Sequence, residues 1–351
     1  MCRITTTRIF LVVALALYAL NLGCGGGAEV SSNISPTSSV GSTTAPQMRS
    51  PVLGFVYTGS GSEVRAINGI PGSSTLGSPL ALPAGVTGMA FAPGQEFALV
   101  EGASGASIGV ISFSGTTPGS LVQIPGAVSR PGVISFSPNG ASAALYSASE
   151  GRLQVLTGLP NQPQLTREIG SSDLPDAVRL LVIADDGTTL LEGTVNNAVY
   201  LLASGGAQLL ENVQDLEGMV FTPQSNDALI FDRGAGTLSL LQGVSTVRSN
   251  RLLASGLTGL EGQVELQTDG GRAVLTSASA NHLWEVDLQS LQVQDLQLPT
   301  APGMLQHLRL SGQYLLSWQS GQPAWILNAS QEKGSVYFVP AAAQAGTALL
   351  R

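Results

Sequence analysis

The stretch Val133–Gly158, VISFSPNGASAALYSASEGRLQVLTG, holds three short apolar or alternating runs separated by two clusters of turn-forming residues. Runs of this length, bounded by Gly, Asn, Pro and Ser, read as β-strands and show no helical period. Asn139-Gly140, between the first two runs, accepts positive φ at both central positions, as a two-residue hairpin demands. Ser149-Glu150-Gly151 turns the chain a second time. The unit is an antiparallel meander, with room for a fourth strand before the next unit begins.

The unit recurs on both sides. Upstream lies Gly88–Gly115, GMAFAPGQEFALVEGASGASIGVISFSG. Downstream lie Leu180–Ser204, Gly218–Gly243, Gln263–Leu288 and the degenerate His307–Ala329, HLRLSGQYLLSWQSGQPAWILNA. The aligned apolar anchors Phe91, Phe136, Ile183, Phe221, Leu266 and Leu310 fall 38–47 residues apart. Four short strands per repeat of that length is the signature of propeller blades. Pro51–Gly69 reads as the second and third strands of one more blade, and the loops between second and third strands then number seven: GSGS, GASGA, SEG, VNN, DRGAG, SAN and SGQ. The expectation is an all-β chain, a β-propeller of seven four-stranded blades over residues 51–351. The first blade lacks an innermost strand of its own, and the tail GTALLR (346–351) is a candidate to supply it. A large β-sandwich would not explain the repeat.

The F-S-P-x-G turn at Phe136–Gly140, followed by an apolar strand, a polar loop and the L-x-V-L strand Leu153–Leu156, resembles the YVTN-type repeats of bacterial β-propellers. These are similar in fold to WD-repeat proteins and to lactonase-like seven-bladed propellers. The resemblance covers most of residues 51–340. The sequence departs from it in having neither the Gly-His and Trp-Asp pairs of WD repeats nor a Y-V-T-N string.

Residues 1–23 have the parts of an export signal: Arg3 and Arg8, then the 12-residue apolar run Ile9–Leu20, too short to span a bilayer. Leu22-Gly23-Cys24 resembles the lipobox of bacterial lipoproteins, with Asn21 where that family usually has Leu. The resemblance implies cleavage before Cys24, lipidation of its thiol and anchoring in the cell envelope. Gly25 after the cysteine implies the outer membrane. An ordinary secretory signal and a secreted protein is the alternative. Cys2 lies in the removed segment, so Cys24 is the one mature thiol, and a lone exported cysteine is explained by lipidation. Residues 24–50, rich in Gly, Ser, Thr and Pro, read as a flexible tether with a reach of roughly 30 Å.

Removing Arg3 and Arg8 takes the formal charge from −8 to −10, and Lys333 is the only lysine. Without clustered Lys and Arg to displace counterions from phosphates, nucleic-acid binding is excluded. The sequence has no G-x-S-x-G, H-E-x-x-H, phosphate loop or C-x-x-C-H, and its two histidines, His282 and His307, rule out a three-histidine metal site. No cofactor is expected, and a monomer is.

Propeller topology still indicates a face. Loops leading into innermost strands share one end of the channel with loops joining second to third strands. On that face the reading places Arg130, Asp176, Arg179, Asp215, Glu217, Glu261 and His307 around the mouth, with His282 on a neighbouring loop. Polar groups converging on a concave mouth are candidate ligand contacts, with Arg130 and Arg179 as donors to an anionic or carbonyl group. Trp284, Trp318 and Trp325 read as packing residues, and Asp185, Asp186 and Asp269 as turn residues. Two functions follow: a lipid-anchored binding or scaffold module for a protein or small polar ligand, or a lactonase-like hydrolase with its site at the channel mouth. Missing catalytic motifs favour the first.

Overall fold

The computed structural model describes residues 51–57, 63–102, 108–246, 248–330 and 333–341. The export signal, Cys24, the tether and the GTALLR tail lie outside them. The described chain is all-β and forms seven blades, with a single 3-10 turn at Ser171–Asp173 as its helical element.

Each blade is an antiparallel meander. The innermost strands of blades 2 to 7 are Val86–Phe91, Val133–Phe136, Val178–Ile183, Leu216–Phe221, Val264–Thr268 and Gln306–His307. The second strands Leu190–Thr194 and Ala228–Asp232 are buried along their whole length, and those of the other blades along most of theirs. They read as continuous apolar runs because a neighbouring blade covers each of their faces. The core accordingly lies between blades. Leu191 and Val199 of blade 4 pack against Leu216, Met219, Phe221 and Ile230 of blade 5. Phe55 of blade 1 stacks on Phe91 of blade 2 at 5.6 Å and meets Phe113 at 4.7 Å.

The first turn of most blades is longer than the two-residue hairpin expected. Ser137 pairs with Ser142 and Ala184 with Thr189, each enclosing four residues, and Gly140 and Gly187 carry the positive φ. The reason is local. Asn139 Oδ1 accepts from Ala141 N–H, and Asp186 Oδ1 accepts from the N–H groups of Thr188 and Thr189, so these side chains organise wider turns. Blade 6 alone has the short form, Gly270-Gly271 between Asp269 and Arg272. Asp185 does more than shape its own turn. Its carboxylate accepts from Asn139 N–H of blade 3 and from Gln224 N–H of blade 5, both at 2.7 Å, tying three turns together.

The register corrects two anchors. Phe136 pairs with Ala143 and Phe221 with Ala228, and the equivalent rungs hold Thr268 in blade 6 and His307 in blade 7. Leu266 is buried two rungs earlier on the same face of its strand. Leu310 is 46% exposed in the turn that follows the strand. The alternation His-Leu-Arg-Leu imitates a strand, but Leu308 N–H already closes the turn onto Gln313 O at 2.9 Å.

Blade 1 shows three strands, Val52–Tyr57, Val64–Ile70 and Ser73–Pro79. The first occupies the second-strand position, as the sequence suggested. Along its inner edge stands a side chain. Buried Gln95, from the first turn of blade 2, accepts from Phe55 N–H at 2.6 Å and donates to Phe55 O at 3.4 Å. Arg309 from blade 7 donates its N–H to Leu53 O at 2.9 Å and its guanidinium to Gln95 O at 3.2 Å. A side chain at Gly54 would overlap Gln95 Oε1 and a methyl group of Leu308, so it would displace the Gln95 contact.

Candidate functional site

The innermost strands of blades 2 to 7 line a channel of about 1010 Å³. At the end where chains enter these strands, Arg179 and Glu217 occupy the same rung of blades 4 and 5 and form an ion pair. Arg233 completes a four-membered cluster, 2.7 Å from Asp215 and 2.9 Å from Glu217, while Arg179 lies 3.6 Å from Asp215. Neighbouring side chains hold these groups. Asp232 accepts from the N–H groups of Gln214 and Asp215 at 2.9 Å each. Asn197 accepts from Leu216 N–H at 3.0 Å and donates to Gln214 O at 3.0 Å. Arg233 also donates to the carbonyl of Gly262 in blade 6.

Two guanidinium groups face two carboxylates, so the cluster is neutral. Glu217 is buried, and removing one arginine would leave its charge only partly compensated. The sequence placed Arg179, Asp215 and Glu217 together, and they are together. Arg233 was missed, although the rule that second-to-third loops share this face places the DRGAG loop there too.

The other expected members stand apart. Arg130 is exposed, with a φ of 48°, outside the channel wall. Asp176 bonds to Asn196 and to Ala177 N–H. Glu261 is exposed, and its carbonyl accepts from Ser279. His282 turns toward the outer strand of blade 6, with Nδ1 2.9 Å from Asp295 Oδ1, Nε2 3.3 Å from Gly259 O and an edge-on contact with Trp284. His307, expected at the start of its strand, is the last residue of Gln306–His307 and lies toward the opposite end of the channel. Its ring packs on Tyr314 at 4.7 Å. Burial pushes its pKa down to about 4, against the opposing pull of Asp269. The imidazole is therefore neutral at neutral pH. A one-turn misreading of blade 7 accounts for the difference.

Deeper in the channel the wall is asymmetric. On the rung below Arg179 and Glu217, blades 2 to 5 present Gly88, Val133, Leu180 and Gly218, whereas blade 6 presents Glu265. Two rungs further, Ala90, Val182 and Val220, with the small hydroxyl of Ser135 in blade 3, face Gln267 of blade 6 and Gln306 of blade 7. Glu265, Gln267, Gln306 and His307 all line the channel. The side chains of Glu265, Gln267 and Gln306 make no hydrogen bond or ion pair among the described residues. Burial alone raises the Glu265 pKa. The alternation V-E-L-Q-T in the sequence carried this signal, since every other position of an innermost strand is polar only there. Among the described residues no three His, Cys, Asp or Glu side chains converge to hold a metal ion.

No protein-family model and no curated protein sequence matches this chain. Solved structures do resemble it. A protein from Lactobacillus plantarum superposes with a TM-score of 0.55 at 13% identity, over 84% of this chain and 97% of the other. A functionally unknown protein from Desulfotomaculum acetoxidans gives 0.51 at 15% identity, over 84% and 100%. The periplasmic gluconolactonase PpgL of Pseudomonas aeruginosa gives 0.52 at 17% identity, over 84% and 99%. At these identities the likeness is one of fold: this chain is a seven-bladed β-propeller with a lactonase-type propeller among its structural neighbours.

Proposed function

We propose that this chain is an exported, lipid-anchored propeller that binds a small ligand in its central channel through the wall formed by blades 6 and 7. The observation that carries the reading is the contrast between two sets of polar groups. At the mouth Arg179, Arg233, Asp215 and Glu217 are engaged with one another. On the deeper wall Glu265, Gln267 and Gln306 are not. Half-buried polar groups without protein partners on one side of an apolar channel are what a pre-formed ligand site provides. The mouth cluster then acts as a rigid rim and not as the ligand contact.

Two measurements test the two halves of this reading. Compounds that raise the melting temperature of the full chain are first identified, since a ligand specific for the native state must do so. Their affinities are then compared in Gln267→Leu and Gln306→Leu variants. A loss of about tenfold or more is expected where a hydrogen bond is removed, and hits indifferent to both substitutions would place the site elsewhere. For the anchor, labelling with a fatty-acid analogue should mark the wild type and not Cys24→Ser. Equal labelling would favour the secreted alternative. A lactonase-type hydrolase is the second reading. It is favoured by the position of His307, the one histidine in the channel wall, with its ring against Tyr314. Hydrolysis of an added lactone that survives His307→Ala in a folded variant would remove that reading.

A further inference from the structure

The geometry points to a ligand with an apolar body and a protonated amine, whose ammonium group is received by Glu265. This rests on the channel reading above and names the class of molecule.

Glu265 is the charged side chain of its rung, which in blades 2 to 5 is otherwise Gly88, Val133, Leu180 and Gly218. Those residues offer hydrocarbon or bare backbone and no hydrogen-bonding side chain. Nearer the mouth both arginines are occupied, Arg179 on the next rung by Glu217 and Arg233 on the DRGAG loop by Asp215 and Glu217. No basic group offsets Glu265: burial is the whole cause of its perturbation. A carboxylate withdrawn from water without a partner is costly, and a cation that supplies the partner recovers that cost on binding. A ligand carboxylate would add a second negative charge beside Glu265. An alcohol would donate one hydrogen bond without neutralising the charge. An ammonium group donates and neutralises. Gln267 and Gln306 lie deeper on the same wall and can take further polar atoms, while Ala90, Val182 and Val220 face an apolar body. The cluster of four charges on blades 4 and 5 at the mouth is neutral, so it presents no net charge to repel a cation.

Three probes on one skeleton test the class: 4-phenylbutylamine, 4-phenylbutan-1-ol and 4-phenylbutyrate, with binding to the full chain measured by calorimetry at neutral pH. The amine is expected to bind about tenfold more tightly than the alcohol, and the acid most weakly, because a charge-assisted hydrogen bond is about twice as strong as a neutral one. In Glu265→Gln the preference for the amine should vanish while the alcohol binds as before. This variant removes a buried charge and keeps the shape, so the fold is expected to persist, as a circular dichroism melt would check. An amine preference that survives Glu265→Gln overturns the assignment to Glu265. An alcohol or acid that binds as tightly as the amine overturns the class. So does failure of all three probes when other compounds bind in a manner sensitive to Gln267→Leu. If no compound at all shows that sensitivity, the channel reading itself fails.

Discussion

Glu192 shows how one residue in this molecule can be at odds with its surroundings. It lies on the second strand of blade 4, fully buried, and neither carboxylate oxygen has a hydrogen-bond partner among the described residues. Burial, reinforced by the charge of Asp176, pushes its pKa from 4.5 up to about 7. The sign follows from linkage. Between those two pH values the folded chain keeps a proton that the unfolded chain releases, so stability falls as pH rises through this window and stays reduced above it. Glu192→Gln keeps the shape without the titration. It should match the wild type near pH 4 and exceed it by about 3 kcal/mol at pH 8, as denaturant midpoints at the two pH values would reveal. Equal midpoints at pH 8 would show that Glu192 reaches water or a partner.

At the scale of the strand, the rungs of the innermost strands decide what each residue does. Phe221 and Phe91 occupy the same rung in different blades. Phe221 is 1% exposed between blades 4 and 5, whereas Phe91 is half-buried at the channel. Phe221→Ala should therefore cost about 3–5 kcal/mol and Phe91→Ala clearly less. Chemical denaturation of both variants checks the order, and a reversed order would contradict the register. The strands were legible in the sequence because each is a short apolar run closed by a turn, and the repeat fixed their equivalence. Blade 7 was the exception. Its innermost strand is two residues long, and His-Leu-Arg-Leu alternates like a strand while it is already turning. That shift carried His307 from one end of the channel to the other. Local alternation cannot distinguish a strand from a turn whose donors go to another blade, as Arg309 N–H goes to Leu53 O.

For the whole molecule, the repeat made the seven-bladed ring readable and the topology named the right face for Arg179, Asp215 and Glu217. It did not distinguish side chains that pair with one another from those left unpaired, because that depends on distances between blades. Glu261 sits on a loop of the expected face and His282 opens the strand His282–Asp287 there, yet the backbone of the one and the ring of the other bond outward, to Ser279 and to Asp295. The deeper wall of blades 6 and 7 was overlooked for a related reason. Polar residues within an innermost strand read as ordinary alternation until blades 2 to 5 are seen to place mostly Gly, Ala, Val and Leu on the same rungs.

The Gln95 contact at blade 1 has a consequence in time as well as in structure. A backbone amide guarded by a strand opens only when a ladder of bonds opens with it. The amide of Phe55 is guarded by one primary amide group, on a side chain that can rotate away by itself. Breathing of the ring should thus be recorded first at the junction of blades 7, 1 and 2, as faster hydrogen–deuterium exchange at Phe55 than at equally buried amides of Leu190–Thr194. Gln95→Ala should speed exchange at Phe55 further, consistent with a loss of about 1–3 kcal/mol for a buried donor and acceptor left unpaired. Exchange at Phe55 as slow as in the other second strands, in both proteins, would mean that the junction moves only when the whole ring does.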